Sequence, residues 1–160
     1  MMPHEPILDV MRRTMANLAF IEQSGSSEGP FEVTQLINSF LGALAHPWES
    51  LRSELNSMSI ADAESQGWPI PRAERATDQA PTKFGDLIRL LRNGVAHGNI
   101  SFLPDGKGQI AALRIENRDN QGGRTWGVTI TPQNMRRFLE RFVALVEDLD
   151  RHARGPSRIA

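Results

Sequence analysis

The chain has no cysteine and no tyrosine. Without a thiol there are no disulfides, no thiolate nucleophile and no cysteinyl zinc or iron–sulfur site. Without a phenol there is no tyrosine chemistry and no tyrosine to modify. Lysine is scarce: only Lys83 and Lys107 stand among 18 basic residues, so positive charge is carried almost wholly by arginine, the better planar partner for phosphate. No stretch approaches the roughly 18–20 apolar residues of a membrane span. The start, Met-Met-Pro-His-Glu, lacks the basic and apolar regions of a secretory signal. A cytoplasmic protein with no membrane partner is the expectation, and Asn99-Ile100-Ser101 is then an incidental glycosylation sequence.

What is present fits one folded unit. The 160 residues are 39% hydrophobic and 23% charged, ordinary for a globular domain. We expect a single domain over residues 1–154 with a disordered tail over 155–160. The net charge of −1 conceals a division. Residues 1–80 carry 5 basic and 11 acidic groups, residues 81–160 carry 13 and 8. Such asymmetry marks either a surface facing nucleic acid or a solvated helical face.

Hydrophobic periodicity predicts mainly helix. Ile7, Val10, Met11, Met15, Leu18 and Ile21 form one face over 5–23, followed by a Gly/Ser-rich break from Ser24 to Pro30. Val33, Leu36, Ile37, Phe40, Leu41 and Leu44 define a second helix over 31–45. Pro47 ends it and opens a third, with Trp48, Leu51, Leu55 and Met58 as its stripe. Residues 59–82 lose periodicity, and Trp68-Pro69-Ile70-Pro71 is necessarily extended. A loop of that length contains a short helix or covers a functional surface.

A fourth helix is expected over 83–97. Residues 100–130 change period, with turn signals at 104–108 and 119–123 and strict alternation at Trp126, Val128 and Ile130. A small antiparallel sheet of two or three strands follows from this. Thr131 as N-cap and Pro132 at the first position open a last helix over 132–152. Its apolar face is Met135, Phe138, Leu139, Phe142, Val146 and Leu149.

The fourth helix carries the chemistry. Phe84, Ile88, Leu91 and Val95 form its core face, and Asp86, Arg89, Asn93 and His97 a second, polar stripe. Gly98 is a natural left-handed stop. His97 then lies in the last turn, where the negative helix end favours an imidazolium. Gly94 sacrifices about 1 kcal/mol of helix propensity relative to alanine. Its missing side chain permits close approach of another helix or of a nucleic-acid backbone. Arg92 and His97 are five positions apart, about 140° around a straight helix, so they share no face. A distorted last turn, a wrapped arginine side chain or a two-fold interface would each bring them together.

Arg92-Asn93-Gly94-Val95-Ala96-His97 resembles the Arg-x4-6-His motif of the HEPN superfamily, including the polar residue that often follows the arginine. The wider Leu-Arg-Asn-Gly-Val-Ala-His-Gly-Asn-Ile is similar to one plasmid- and chromosome-borne HEPN family. Pro47-Trp48-Glu49, the Trp-Pro-Ile-Pro stretch and the β-excursion before the last helix extend the likeness over roughly 5–150. The resemblance implies a HEPN-like bundle of about five helices with a small antiparallel sheet inserted before the last. It implies a metal-independent endoribonuclease, working without a cofactor, in a toxin–antitoxin or defence setting. His97 would be general acid or base, Arg92 would steady the transition state, and Asn93 would orient the site. It further implies a homodimer, an RNA substrate and a cognate antitoxin. HEPN toxins silenced by nucleotide transfer carry a tyrosine two residues after the motif histidine; Asn99 stands there, so that control is closed to this chain. A non-catalytic HEPN module that binds RNA, nucleotide or a partner protein is the alternative, and a structural dimer using the motif as its interface is another.

Other residues admit more than one role. Arg136, Arg137 and Arg141 share a face of the last helix and, with Arg89 and Arg92, form either an RNA groove or a solvated face beside Glu140 and Glu147. Trp68 and Trp126 read as core or as platforms for base stacking. His46 is expected to be structural, and His4 and His152 to be solvated. The four histidines have no metal-ligand spacing. Gly106-Lys107-Gly108-Gln109-Ile110-Ala111 mimics a dinucleotide fingerprint but leads into a strand, where the required helix is missing. There is no P-loop and no G-x-S-x-G elbow.

Overall fold

The computed structural model describes residues 5–24, 32–45 and 48–155. Six helices and one sheet follow in the order α1 Glu5–Ser24, α2 Glu32–Ala45, α3 Trp48–Ser57, α4 Ile60–Ser65, α5 Phe84–Ala96, β1 Ile100–Pro104, β2 Ile110–Arg118, β3 Arg124–Ile130 and α6 Pro132–Arg154. The fold is mainly helical, with a three-stranded antiparallel meander in the order β1-β2-β3 before the last helix. The helix beyond the expected five is α4. It lies in the stretch that lost periodicity, and at six residues it is too short to display a face. Its start is set by local chemistry: Ser59 and Asp62 cap each other reciprocally.

The apolar stripes converge on one core. Leu36, Ile37, Phe40 and Leu44 of α2 meet Phe138, Phe142 and Val146 of α6, with Leu51 and Leu55 of α3 and Leu87, Ile88 and Leu91 of α5. Trp68 and Trp126 are 3% and 1% exposed, which excludes both as stacking platforms for bases. Trp68 instead packs among rings, tilted against Phe84 at 4.7 Å and edge-on to Phe142 at 4.9 Å. On α1 the buried face is Leu8, Met11 and Leu18, with Met15 at its margin, and Val10 is 56% exposed. The periodicity places Val10 inward, whereas the helix is rotated so that Leu8 faces the core, the same three- and four-residue spacing one strip over.

The long connection between α4 and α5 is tied at both ends. Ser59 and Lys83 form an antiparallel bridge, and the Phe84 amide bonds to the Met58 carbonyl at 3.0 Å. Between these ends the chain runs along the outer edge of β3: the Glu74 and Gln79 amides donate to the Gly127 and Thr125 carbonyls at 2.9 and 3.0 Å. That covers a sheet edge that would otherwise expose unpaired backbone groups. The last helix opens as expected, the Thr131 hydroxyl accepting from the Asn134 amide at 3.3 Å with Pro132 at the first position. His4, His46, Pro47 and the tail from 156 lie outside the described residues, as does most of the Gly/Ser-rich break. His152 is exposed, its Nδ1 2.6 Å from the Asp148 carbonyl. No described helix is long and apolar enough to cross a membrane.

Candidate functional site

The site is built on the end of α5. Of the core face of this helix, Phe84, Ile88 and Leu91 are buried and Val95 is half-buried; on its other side Arg89 and His97 are exposed while Asp86 and Asn93 are half-buried. The polar stripe therefore stands where its spacing placed it. The helix closes in a Schellman arrangement. The Gly98 amide donates to the Val95 carbonyl and the Asn99 amide to the Gly94 carbonyl, at 3.0 and 2.8 Å. Gly98 takes φ +70°, which a side chain would disfavour. His97 is the C-cap, and its amide still makes the ordinary helical bond to the Asn93 carbonyl at 3.0 Å. The last turn is thus regular, and within one chain Arg92 and His97 are not joined by a hydrogen bond.

Two contacts press this helix onto the sheet. A Cβ on Gly94 would collide with Ile115 Cγ2 and lie 2.7 Å from the Glu116 carbonyl oxygen. The close neighbour is a β-strand, neither a helix nor a space left open for nucleic acid. One turn earlier, the Asn117 amide group donates to the Leu90 carbonyl. Asn117 is a residue the sequence reading passed over. Its signal was there: it follows Leu113 and Ile115 at alternating positions, so it is a polar residue at an inward place in a strand. Past the cap, the Asn99 carbonyl accepts from the Glu116 amide at 2.9 Å. The motif helix and β2 are thereby joined on both sides of His97.

Arg92 is half-buried, and neither its guanidinium nor the side chains of Asn93 and His97 has a hydrogen bond or ion pair with a described residue. Arg89 is exposed and 3.7 Å from Asp86, a weak surface pair. The arginines of α6 divide. Arg136 is paired with Glu22 of α1 and with Glu140, so it ties two helices together. Arg141 lies over the Trp68 ring at 5.8 Å. Arg137 alone of the three is exposed. Through Trp68 and Phe84, Arg141 stands by the N-terminal end of α5, whereas Arg92 and His97 belong to its last turns. The structure does not gather all five arginines into one groove.

A second cluster escaped the sequence reading. On the outer face of the sheet, Arg124 is held at 2.9 Å from each of Glu74, Asp78 and Glu116. Its side chain is 8% exposed and its guanidinium rests over Gly127, where a Cβ would lie 2.6 Å from it. Arg114 pairs with Glu74 at 2.7 Å and Glu116 at 3.2 Å, and Thr129 donates to Glu74 at 2.9 Å. Hydrogen bonds from Arg114, then Arg124 and Thr129, pull the Glu74 carboxyl down to about 2. Arg124 likewise holds Asp78 below the usual carboxylate range. The cluster locks the 74–79 segment to the sheet. Among the described residues, no three His, Asp or Glu side chains converge as metal ligands.

A helical bundle with an Arg-x4-His sequence closing α5, and a β-meander between that helix and the last, is consistent with a HEPN-like fold. The family model described as HEPN pEK499 p136 matches residues 1–152, and the chain belongs to that family. No curated protein and no solved structure matches it. Membership in a HEPN family points to a ribonuclease or a nucleotide-binding module.

Proposed function

We propose that this protein is a metal-independent endoribonuclease, acting as a homodimer in the cytoplasm under the control of a partner antitoxin, with residues 1–154 as its single functional unit. One observation supports this most: His97 is exposed and uncommitted at the end of a helix whose main chain is pinned on both sides. The chemistry is internal transesterification. A base takes the proton of the ribose 2′-hydroxyl, O2′ attacks the adjoining phosphorus, and the P–O5′ bond breaks as an acid protonates O5′. The products are a 2′,3′-cyclic phosphate and a free 5′-hydroxyl. An unperturbed imidazole titrates near pH 6.5 and serves either step. Positioned acid–base catalysis contributes about 10²–10⁴-fold. The reaction needs one base and one acid, and each motif supplies a single imidazole; a dimer supplies both. Arg92 steadies charge on the five-coordinate phosphorus. Asn93, on the same stripe as His97, orients the phosphate or the ring. Arg89 and Arg137 provide exposed phosphate contacts.

Pure protein incubated with RNA in EDTA is expected to cut it. His97→Ala is expected to abolish cutting with an unchanged circular dichroism spectrum. Equal inertness of wild type and variant across varied RNAs sinks the nuclease reading. A second reading, a HEPN module that binds RNA or nucleotide without turnover, is favoured by one feature. Nothing described in a single chain fixes the tautomer of the His97 ring. It predicts salt-sensitive binding without products, lost in Arg92→Ala.

A further inference from the structure

Beside the end of α5 lies a shallow cavity of about 320 Å³. Its wall is the chain from Gly98 to Ser101, faced by Arg114, Glu116 and Arg118. We infer that this cavity is a subsite for one nucleotide of single-stranded RNA, the nucleotide adjoining the bond to be cut. The inference rests on the ribonucleolytic reading of His97 and names where the substrate lies.

Position comes first. Gly98 lines the cavity and is the chain neighbour of His97, so the two Cα atoms are about 3.8 Å apart. Size comes next. A volume of about 320 Å³ is at the small end of ligand pockets, fit for a single mononucleotide. Ser101 pairs with Arg114 across the sheet, and Arg114, Glu116 and Arg118 alternate along β2, so these four share the outer face.

The lining suits a nucleotide. Asn99 is half-buried, and its main chain is held at both ends, N–H to the Gly94 carbonyl and C=O to the Glu116 amide. Its side-chain amide has no partner among the described residues, leaving donor and acceptor together for a base edge. Arg118 bonds to Glu116 at 2.8 Å and to the Gly122 carbonyl at 3.0 Å. Its side chain is 45% exposed and keeps further N–H donors for a phosphate. Arg114 is already committed to Glu74 and Glu116. Glu116 is compensated by three arginines, Arg114, Arg118 and Arg124, so it does not leave a bare negative charge facing the phosphate.

Binding separates this inference from cleavage. The probes are fluorescent 2′-O-methyl homo-oligonucleotides of the four bases, which cannot undergo transesterification, read by anisotropy. Arg118→Ala is expected to weaken binding at least tenfold. It should also flatten the dependence of log K on log salt by about 0.7, one phosphate contact on a single strand. Ser101→Trp fills the cavity without removing an ion pair and is expected to give the same loss, which guards against misfolding of the arginine variant. Asn99→Ala is expected to bring the four probes within twofold of one another. Wild-type binding in Arg118→Ala and Ser101→Trp overturns the subsite, as does a wild-type protein that binds no probe. If the variants lose binding as stated while unmodified RNA is never cut, the subsite stands and the nuclease reading falls. If RNA is cut and the variants bind normally, the reverse holds.

Discussion

A missing side chain decides how the motif sits. At Gly94 any Cβ meets the side chain of Ile115 and the main chain of Glu116, and the latter belongs to the middle strand of a sheet, which cannot move alone. Gly42 in α2 has nothing within 4 Å of the same hypothetical atom. The two glycines make a matched pair. Gly42→Ala is expected to stabilise by about 0.5–1 kcal/mol through helix propensity. Gly94→Ala is expected to destabilise by about 1–2 kcal/mol, the overpacking outweighing the same propensity gain. Urea melts of the two variants report the difference directly; stabilisation by both would show that β2 yields. The rule of helix propensity thus has opposite outcomes at two positions of one chain, and only the neighbour explains which.

Between elements, the charged cluster on the sheet does what a hydrophobic stripe does elsewhere. It fixes a segment that has few apolar residues of its own. Its pH dependence has a definite sign. The Glu74 carboxyl titrates at about 2 in the fold against 4.5 unperturbed. Its contribution to stability is therefore complete above pH 4.5 and is lost as pH falls from there towards 2. Glu74→Gln is expected to shrink the fall in melting temperature between pH 5 and pH 3. An unchanged acid slope in that variant would place the sensitivity elsewhere. None of this cluster was readable beforehand, for a physical reason. Glu74 bonds to Arg114 and Thr129, 40 and 55 positions away, and no local period records such pairs. The elements that were readable had local causes. Thr131-Pro132 opens α6, alternation marks β3, and Gly98 stops α5. The motif and its polar stripe were equally plain, because helical spacing alone generates them. What spacing could not supply was the strand beneath Gly94 or the Asn117 bond to Leu90, since both depend on how β2 returns to α5.

At the scale of the molecule, the division between an acidic first half and a basic second half is largely spent inside the fold. Glu74 and Asp78 take up Arg114 and Arg124, and Glu22 takes Arg136. The basic excess therefore does not spread as one RNA-facing surface. Among the described residues of the second half, Lys83, Arg92, Lys107, Arg137 and Arg141 form no ion pair, and Arg89 and Arg118 keep exposed donors. A single chain presents one imidazole at this site, which makes the assembly itself a prediction. Sedimentation equilibrium is expected to return twice the chain mass of 17.8 kDa, for wild type and for His97→Ala alike. A monomer that still cuts RNA would require a second proton-transfer group from within the chain.

The double fastening around His97 has one more consequence. The residue before it is helical, the residue after it is a left-handed glycine, and the next is bonded to both α5 and β2. The main chain there has almost no conformational entropy left to lose on binding a substrate. All remaining freedom is in the two side-chain torsions of the imidazole, which relax in picoseconds to nanoseconds. The histidine behaves as a pivot with a fixed bearing: in the proposed reaction its ring turns to meet the one oxygen it serves, as base or as acid, without any backbone having to move.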